Sequence, residues 1–395
     1  MEKRLKIAHV TPYYVPAWRY GGPIRSVHGL CRALAAAGHE VHVFTTNIDG
    51  PGNSDVPLGK PVDVDGVKVW YFPSKRLRRL FWSPSLTRTF KHCVRDFDIV
   101  HIHSVFLLPT MQAARAALKA KVPYIVAPRG VLVGDLFRRK SHFIKTLWMM
   151  LFDNFTLEHA AAVHVTSQRE ADEMAHFGLK IRKTYVIPNG VELSITDGSS
   201  EKVSPAISAA TEHESMILFL GRVSWEKGVD RLIRALPLVP QGVLVVAGNE
   251  ETGYGQQMRD LGARLKVDGR MSFVGSVHGA DKMALLSHAR MLVLPSYSEN
   301  FGNVVLEAMA VGCPVVVAEE VGAADVVREA KAGLVSSGAP EQLAKNIRTI
   351  LDDRDLRESM SESGKRAIRE KYVWSMVAKE MLAAYREILS GRQAQ

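Results

Sequence analysis

The stretch Met291-Leu-Val-Leu-Pro-Ser-Tyr-Ser-Glu-Asn-Phe-Gly-Asn-Val-Val-Leu-Glu-Ala-Met-Ala-Val-Gly-Cys-Pro-Val-Val-Val317 decides the fold of this chain. Met291–Leu294 is a short apolar run ended by Pro295, and Pro314-Val-Val-Val317 is another, so each reads as a buried strand. Between them Asn303 to Val311 is helical by composition. Glu299 then falls in the strand-to-helix loop and Glu307 one turn into the helix. Helical side chains tilt toward the N-terminus, so Glu307 leans back toward the loop that carries Glu299. The free amides near Phe301, Gly302 and Asn303 face the same space. Two carboxylates beside a helix start suit a ligand that carries both sugar hydroxyls and phosphate. An exposed loop acid and an ordinary helix acid explain the spacing equally well.

Working outward, short apolar runs alternate with helical stretches along almost the whole chain. Leu5–Val10, Val41–Thr45, Ile99–His103, Tyr124–Ala127, Ala162–Thr166 and Tyr185–Ile187 read as strands, and a helix from about Pro23 to Ala37 follows the first. Residues 193–214 are polar, small and aperiodic, as in a linker. The pattern then restarts with Met216–Leu220, Val243–Ala247, Ser272–Val274, Met291–Leu294, Val315–Val317 and Gly333–Val335. This predicts an α/β chain of two doubly wound, Rossmann-like domains with parallel sheets. The expected boundaries are residues 1–195 and 215–373, with a linker at 196–214 and a final helix from 374. Ligands of open parallel sheets bind beyond the carboxyl ends of the strands, which makes a cleft faced by both domains the default site.

At 395 residues the chain is too long for one ordinary core. With 47% hydrophobic and 23% charged residues it is not a disordered chain. No stretch approaches the roughly 20 apolar residues that span a bilayer, and the start of the chain shows no secretory signal. Cys31, Cys93 and Cys313 are far apart and lack ligand spacing, so they read as reduced core thiols of a cytoplasmic protein. Residues 1–200 hold 27 Lys and Arg against 16 Asp and Glu, so the net charge of +10 belongs to this half. The excess concentrates in 75–95, which includes Lys75, Arg76, Arg78 and Arg79, and in 138–152. Basic residues interleaved with Trp, Phe and Leu suit the surface of an anionic membrane. No nucleic-acid module accompanies them.

Three constellations stand at the carboxyl ends of expected strands. Gly21-Gly22 precedes the opening helix, where glycines allow close approach to an anion or simply make a turn. Arg222 and Lys227, in Gly221-Arg-Val-Ser-Trp-Glu-Lys-Gly228, can grip a diphosphate and stabilise the charge that develops as it leaves. No Asp-x-Asp pair accompanies them, so the two cations can stand in for a divalent ion. His101 and His103 share one face of a strand. No further ligands join them to make a metal site, and His103, nearer the strand end, is the better candidate for substrate contact.

Taken in this order and spacing, the residues resemble glycosyltransferase family 4, retaining sugar-nucleotide transferases of GT-B architecture. The resemblance rests on Gly21-Gly22, His101-x-His103, Pro188-Asn-Gly-Val191, Gly221-Arg222 with Lys227-Gly228, and the glutamate pair Glu299 and Glu307. It implies that His103, Arg222, Lys227 and Glu299 serve catalysis, with Arg222 and Lys227 on the donor diphosphate and Glu299 on the transferred sugar. Glu307 would hold the ribose. Gly21, Gly22, Asn300, Phe301 and Gly302 would border phosphate or sugar, and Val274 and Ser276 the base. His103 would face the sugar. Arg129, in Ala127-Pro-Arg-Gly130, lies in a loop similar to one in polysaccharide-building members and would serve the acceptor side. The final helix would cross back onto the first domain. Asn300 replaces a glycine usual after the first glutamate, and Gly322-Ala-Ala-Asp325 departs from the usual Gly-Gly-x-x-Glu turn.

The reaction implied is transfer of a hexose from a UDP- or GDP-sugar to a hydroxyl of a lipid-linked or polysaccharide acceptor. It needs no metal or other cofactor and takes place at the inner face of a membrane. A sugar-nucleotide epimerase of the same architecture and a membrane-docked scaffold that only binds nucleotide are the rival readings. A dehydrogenase is disfavoured because Gly253-Tyr-Gly255 lacks the third glycine.

Overall fold

The computed structural model describes residues 3–130, 148–193 and 202–393. They form two compact units, one of residues 1–190 with 374–395 and the other of residues 191–373. In the first unit the strands are β1 (Lys6–Val10), β2 (Glu40–Thr46), β3 (Ile48–Asp49), β4 (Gly52–Asn53), β5 (Pro61–Val64), β6 (Val67–Phe72), β7 (Ile99–His103), β8 (Tyr124–Ala127), β9 (Ala162–Val165) and β10 (Thr184–Val186). Eight of these make one sheet in the order β10-β9-β8-β7-β1-β2-β6-β5, while β3 and β4 pair separately. Helices cover both faces, so the central strands carry continuous apolar runs in place of alternation.

One edge departs from the all-parallel expectation. β5 runs antiparallel to β6, with Val64 opposite Val67. The cause is local: Val62-Asp-Val-Asp-Gly-Val-Lys-Val69 alternates around a two-residue Asp65-Gly66 turn. Both turn residues have positive φ, 53° and 81°, the geometry that matches the twist of a hairpin.

The second unit contains β11 (Met216–Leu220), β12 (Val243–Ala247), β13 (Met271–Gly275), β14 (Met291–Leu294), β15 (Val315–Ala318) and β16 (Gly333–Ser336). They form a wholly parallel sheet in the order β13-β12-β11-β14-β15-β16. Strand order reverses between β11 and β14 here, and between β1 and β7 in the first unit. Loops part at such switch points and leave a crevice at the carboxyl edge.

One boundary differs from expectation. Residues 202–214 are not a plain linker: Pro205–Thr211 is a helix whose Ile207 and Ala210 are buried in the second unit's core. Two buried side chains in seven residues are too weak a periodic signal to find in a polar stretch. Residues 194–201 lie outside the described set. At the other end the helix Trp374–Gln393 packs into the first unit, where Val377, Met381, Leu382 and Tyr385 are buried with Leu30, Cys31 and Leu34 of the helix Gly22–Ala36. The Trp374 ring fills a slot kept open by two glycines. A Cβ on Gly29 would lie 2.2 Å from the indole, and one on Gly190 2.7 Å from it. Gly190 of the Pro188-Asn-Gly-Val motif is therefore a glycine for space and not for a turn.

Candidate active site

The site residues of the second unit sit on loops that leave the switch point. After β11 the chain runs through Gly221 and Arg222 to Gly228, which caps the helix Val229–Ala235 at φ 67°. A Cβ there would meet the Pro295 carbonyl oxygen at 2.1 Å, so only glycine lets this loop lie against the one after β14. The amides of Tyr297 and Ser298 donate to the Glu226 carbonyl at 2.8 and 3.3 Å. Arg231 pins the same loop, donating to the carbonyls of Pro295 and Ser296 at 3.2 and 3.3 Å and to Glu320 at 3.2 Å. Its guanidinium also stacks 3.7 Å from the Tyr297 ring centre, and the Tyr297 hydroxyl donates to Asp230 at 2.9 Å. On the far side Glu299 N donates to Glu320 O at 3.2 Å, and Gly322 N to Glu299 O at 3.0 Å. Glu299 is thus held by its backbone between two neighbouring loops.

Each glutamate of the pair carries a lysine. Lys227 Nζ donates to Glu299 Oε2, with the two side chains 20% and 17% exposed. Lys282, on the helix Gly279–His288 after β13, donates to Glu307 Oε1 at 3.0 Å. Arg222 differs from both lysines: it is exposed and has no side-chain partner among the described residues. Gly302, at φ 89°, caps the helix Asn303–Val311, whose bounds are those read from the sequence. The Phe301 side chain is buried in the core, which leaves its backbone as the part able to meet a ligand. Val274 lies near the end of β13, and the exposed Ser276 hydroxyl just beyond it donates to Asn249 Oδ1. Sequence reasoning missed Lys282, although its place in the first turn of a helix that follows a parallel strand was a usable signal. Arg231 was missed too, because its targets are mostly carbonyls.

In the first unit the switch point holds four buried histidines. His9 on β1 stands in register with His101 on β7, and His103 and His164 lie alongside. The hydrogen bonds fix every proton. His164 Nε2 can only donate to the Ile187 carbonyl, at 2.9 Å, so its Nδ1 accepts from His101 Nε2 at 3.3 Å. His101 Nδ1 then accepts from the Tyr385 hydroxyl at 2.7 Å. Arg129 can only donate, so His103 Nδ1 accepts from it at 3.2 Å and His103 Nε2–H donates to His9 Nδ1 at 2.9 Å. Burial, and secondly the Arg129 charge, hold His9 and His164 down at about 3, and His103 well below its ordinary range. The rings are neutral. Nitrogens of His9, His101 and His103 come within 4.8 Å of one another, close enough for a metal. Of the nitrogens of these three rings, only His9 Nε2 lacks a hydrogen-bond partner among the described residues, so a cation would have to break the other bonds.

Two expectations change here. His103 is 1% exposed and both of its nitrogens are engaged, so it is no open strand-end histidine. Arg129, expected on an acceptor surface, turns its guanidinium inward to His103 and to Asn189 Oδ1 at 3.0 Å. Gly21, at φ 72°, makes the turn into the helix Gly22–Ala36, and a Cβ on it would meet nothing. Its glycine is explained by backbone conformation. Gly22 is the first residue of that helix.

Two parallel Rossmann-like units with loops at their switch points define the GT-B class. Residues 21–190 match the glycosyl transferase 4-like domain and residues 200–367 match glycosyl transferases group 1. The chain belongs to these glycosyltransferases, and it is an enzyme. It is 29% identical to an uncharacterized glycosyltransferase of Methanocaldococcus jannaschii, over 97% of this chain and 98% of that one. Among solved structures it resembles sucrose-phosphate synthase from Thermosynechococcus elongatus, with a TM-score of 0.74, 24% identity and coverage of 98% and 100% of the two chains. It also resembles Anabaena HepE in complex with UDP-glucose, with a TM-score of 0.70, 21% identity and coverage of 98% and 100%. Both matching families are transferases, which leaves the epimerase and scaffold readings without support.

Proposed function

We propose that the chain transfers a hexose from a UDP- or GDP-sugar to a hydroxyl of a lipid-linked or polysaccharide acceptor, with retention and without a metal ion. The observation that carries this reading is the convergence of Arg222, the Lys227–Glu299 pair and the helix start at Gly302 around one switch point. Arg222 and Lys227 take the diphosphate, Glu307 the ribose and Glu299 the hexose hydroxyls, while the base rests near Val274 and Ser276. The UDP-glucose held by the Anabaena neighbour supports a nucleotide-sugar donor. Glu299 serves better as a positioning group than as a nucleophile, since a lysine already holds its carboxylate. The acceptor oxygen therefore bonds to the anomeric carbon on the face from which the diphosphate departs. The leaving phosphate oxygen takes the acceptor's proton, and the two cations stabilise the charge that develops on the diphosphate.

The basic surface of the first unit supports an acceptor held at the cytoplasmic face of a membrane. Lys75, Arg76, Leu77 and Arg79 are exposed, as are Arg88, Lys91 and Arg95. Arg78 is not part of that surface. It donates to Asn53 Oδ1 at 2.8 Å and to the Gly52 carbonyl at 2.6 Å, bracing the β3–β4 turn. Of the second expected patch, 138–147 lies outside the described residues, and Leu151 is exposed on the helical turn Met149–Asp153. No described helix is long and apolar enough to cross a membrane.

A thermal-shift panel of UDP-, GDP- and ADP-sugars tests the donor. At 100 times its Kd a native-state ligand adds about 2.7 kcal/mol of apparent stability, so the true donor raises Tm and the others do not. A panel in which no nucleotide sugar shifts Tm would overturn the reading.

A further inference from the structure

We propose that Arg129 is a positioning residue that fixes His103 as the tautomer protonated on Nε2, and that His9 accepts the hydrogen bond of this one N–H until a ligand oxygen accepts it instead. Arg129 sits at φ 58°, a conformation that side-chain-bearing residues rarely adopt. The turn it makes with Gly130 is held by a buried carboxylate: Glu170 accepts from Gly130 N at 2.7 Å and from Thr166 N at 2.8 Å. That backbone aims the guanidinium fork, whose two terminal nitrogens are committed to His103 Nδ1 and to Asn189 Oδ1. A guanidinium never accepts a hydrogen bond, so a ring that faces it must present a lone pair. The proton of His103 is thereby forced to the opposite side of the ring, where His9 Nδ1 accepts it at 2.9 Å. His101, stacked on His103 with ring centres 4.3 Å apart, is locked separately through Tyr385 and His164. Nothing in that second chain competes for the proton of His103. A sugar oxygen that reaches His103 therefore competes with His9 alone. An acceptor phosphate that took Arg129 would also release the tautomer.

The catalytic meaning rests on the transferase reading, whereas the tautomer assignment does not. The test is a long-range 1H–15N spectrum of the full chain labelled in its histidines, with His103 assigned through His103→Gln. The expected wild-type pattern is the neutral Nε2–H form, unchanged across the pH range in which the fold persists. Arg129→Met should abolish this preference and Arg129→Lys should restore it, since lysine also only donates. An Nδ1–H wild type, a His103 that titrates like a free histidine, or a folded Arg129→Met with the wild-type pattern would each overturn the proposal. If Arg129→Met does not fold, the wild-type tautomer and Arg129→Lys still decide it. Failure of every nucleotide sugar to bind the same sample would count against the transferase reading and leave the tautomer result standing.

Discussion

The Lys227 ammonium and the Glu299 carboxylate, from loops that follow different strands of the second unit, are bonded to each other in the free protein. In the proposed reaction a donor parts them, its phosphate claiming the lysine and its sugar hydroxyls the glutamate. A nucleoside diphosphate without sugar frees Glu299 and gives it nothing in return. Glu299→Gln should therefore tighten UDP or GDP binding about fivefold, or ~1 kcal/mol, the scale of one partly exposed ion pair. The same variant should lose sugar transfer. Calorimetric titration decides between this and weaker binding, which would show that the pair does not compete with phosphate.

Arg222 has no side-chain partner to lose among the described residues, so its removal should separate catalysis from stability. Arg222→Ala is expected to lower kcat by roughly 100-fold, about 3 kcal/mol, as for loss of one donor aimed at developing charge. Its Tm should stay within a degree or so of wild type. Near-normal turnover would remove Arg222 from the diphosphate.

Lys282 holds Glu307, so the two should act as one unit on the ribose. Lys282→Met and Glu307→Gln should each weaken donor binding, and the double variant should be no worse than either, with a coupling of about 1 kcal/mol. A 2′,3′-dideoxy nucleotide should be blind to Lys282→Met. Equal losses for both nucleotides would place Lys282 on the phosphate.

Within the basic segment 75–79 charge and structure can be told apart. Each basic residue near an anionic surface contributes about 1 kcal/mol, so replacing Lys75, Arg76 and Arg79 with serine should weaken vesicle binding by roughly 100-fold without shifting Tm. Arg78→Ala should instead destabilise the first unit by about 0.5–1.5 kcal/mol, since it removes the hydrogen bonds to the carbonyls of Gly50, Gly52 and Ser74. Sedimentation with anionic vesicles and a thermal melt report the two effects independently.

Acid should strike the first unit. His9 and His164 are held at about 3 against 6.5 in the unfolded chain, so below 6.5 the unfolded state binds more protons. Their contribution is complete above pH 6.5 and is lost progressively as pH falls toward 3. The urea midpoint of the first unit should drop between pH 7 and 5. A flat midpoint would mean that these histidines are already charged in the native state.

The alternation of apolar runs and helices made both sheets legible, down to the bounds of the helix Asn303–Val311. The β5–β6 hairpin is legible as well, in the Asp65-Gly66 turn that alternating valines flank. Residue types in the site could be read from spacing, whereas their partners could not. Period two puts His101 and His103 on one face, yet nothing in sequence says that β1 lies beside β7 and brings His9 into register. Lys227 reaches a glutamate 72 residues away, and only the order β11-β14 makes them neighbours.

The slot for Trp374 has a consequence for how the chain is made. The first unit draws on residues that precede the second in the chain and on residues that follow it. Until Trp374 arrives, Gly29 and Gly190 border a gap, and until Tyr385 arrives His101 lacks its donor. The second unit, continuous in sequence, can close while the first still waits, which reverses the usual N-terminal-first order of folding. A chain stopped at Val373 would lose the keystone of its first unit.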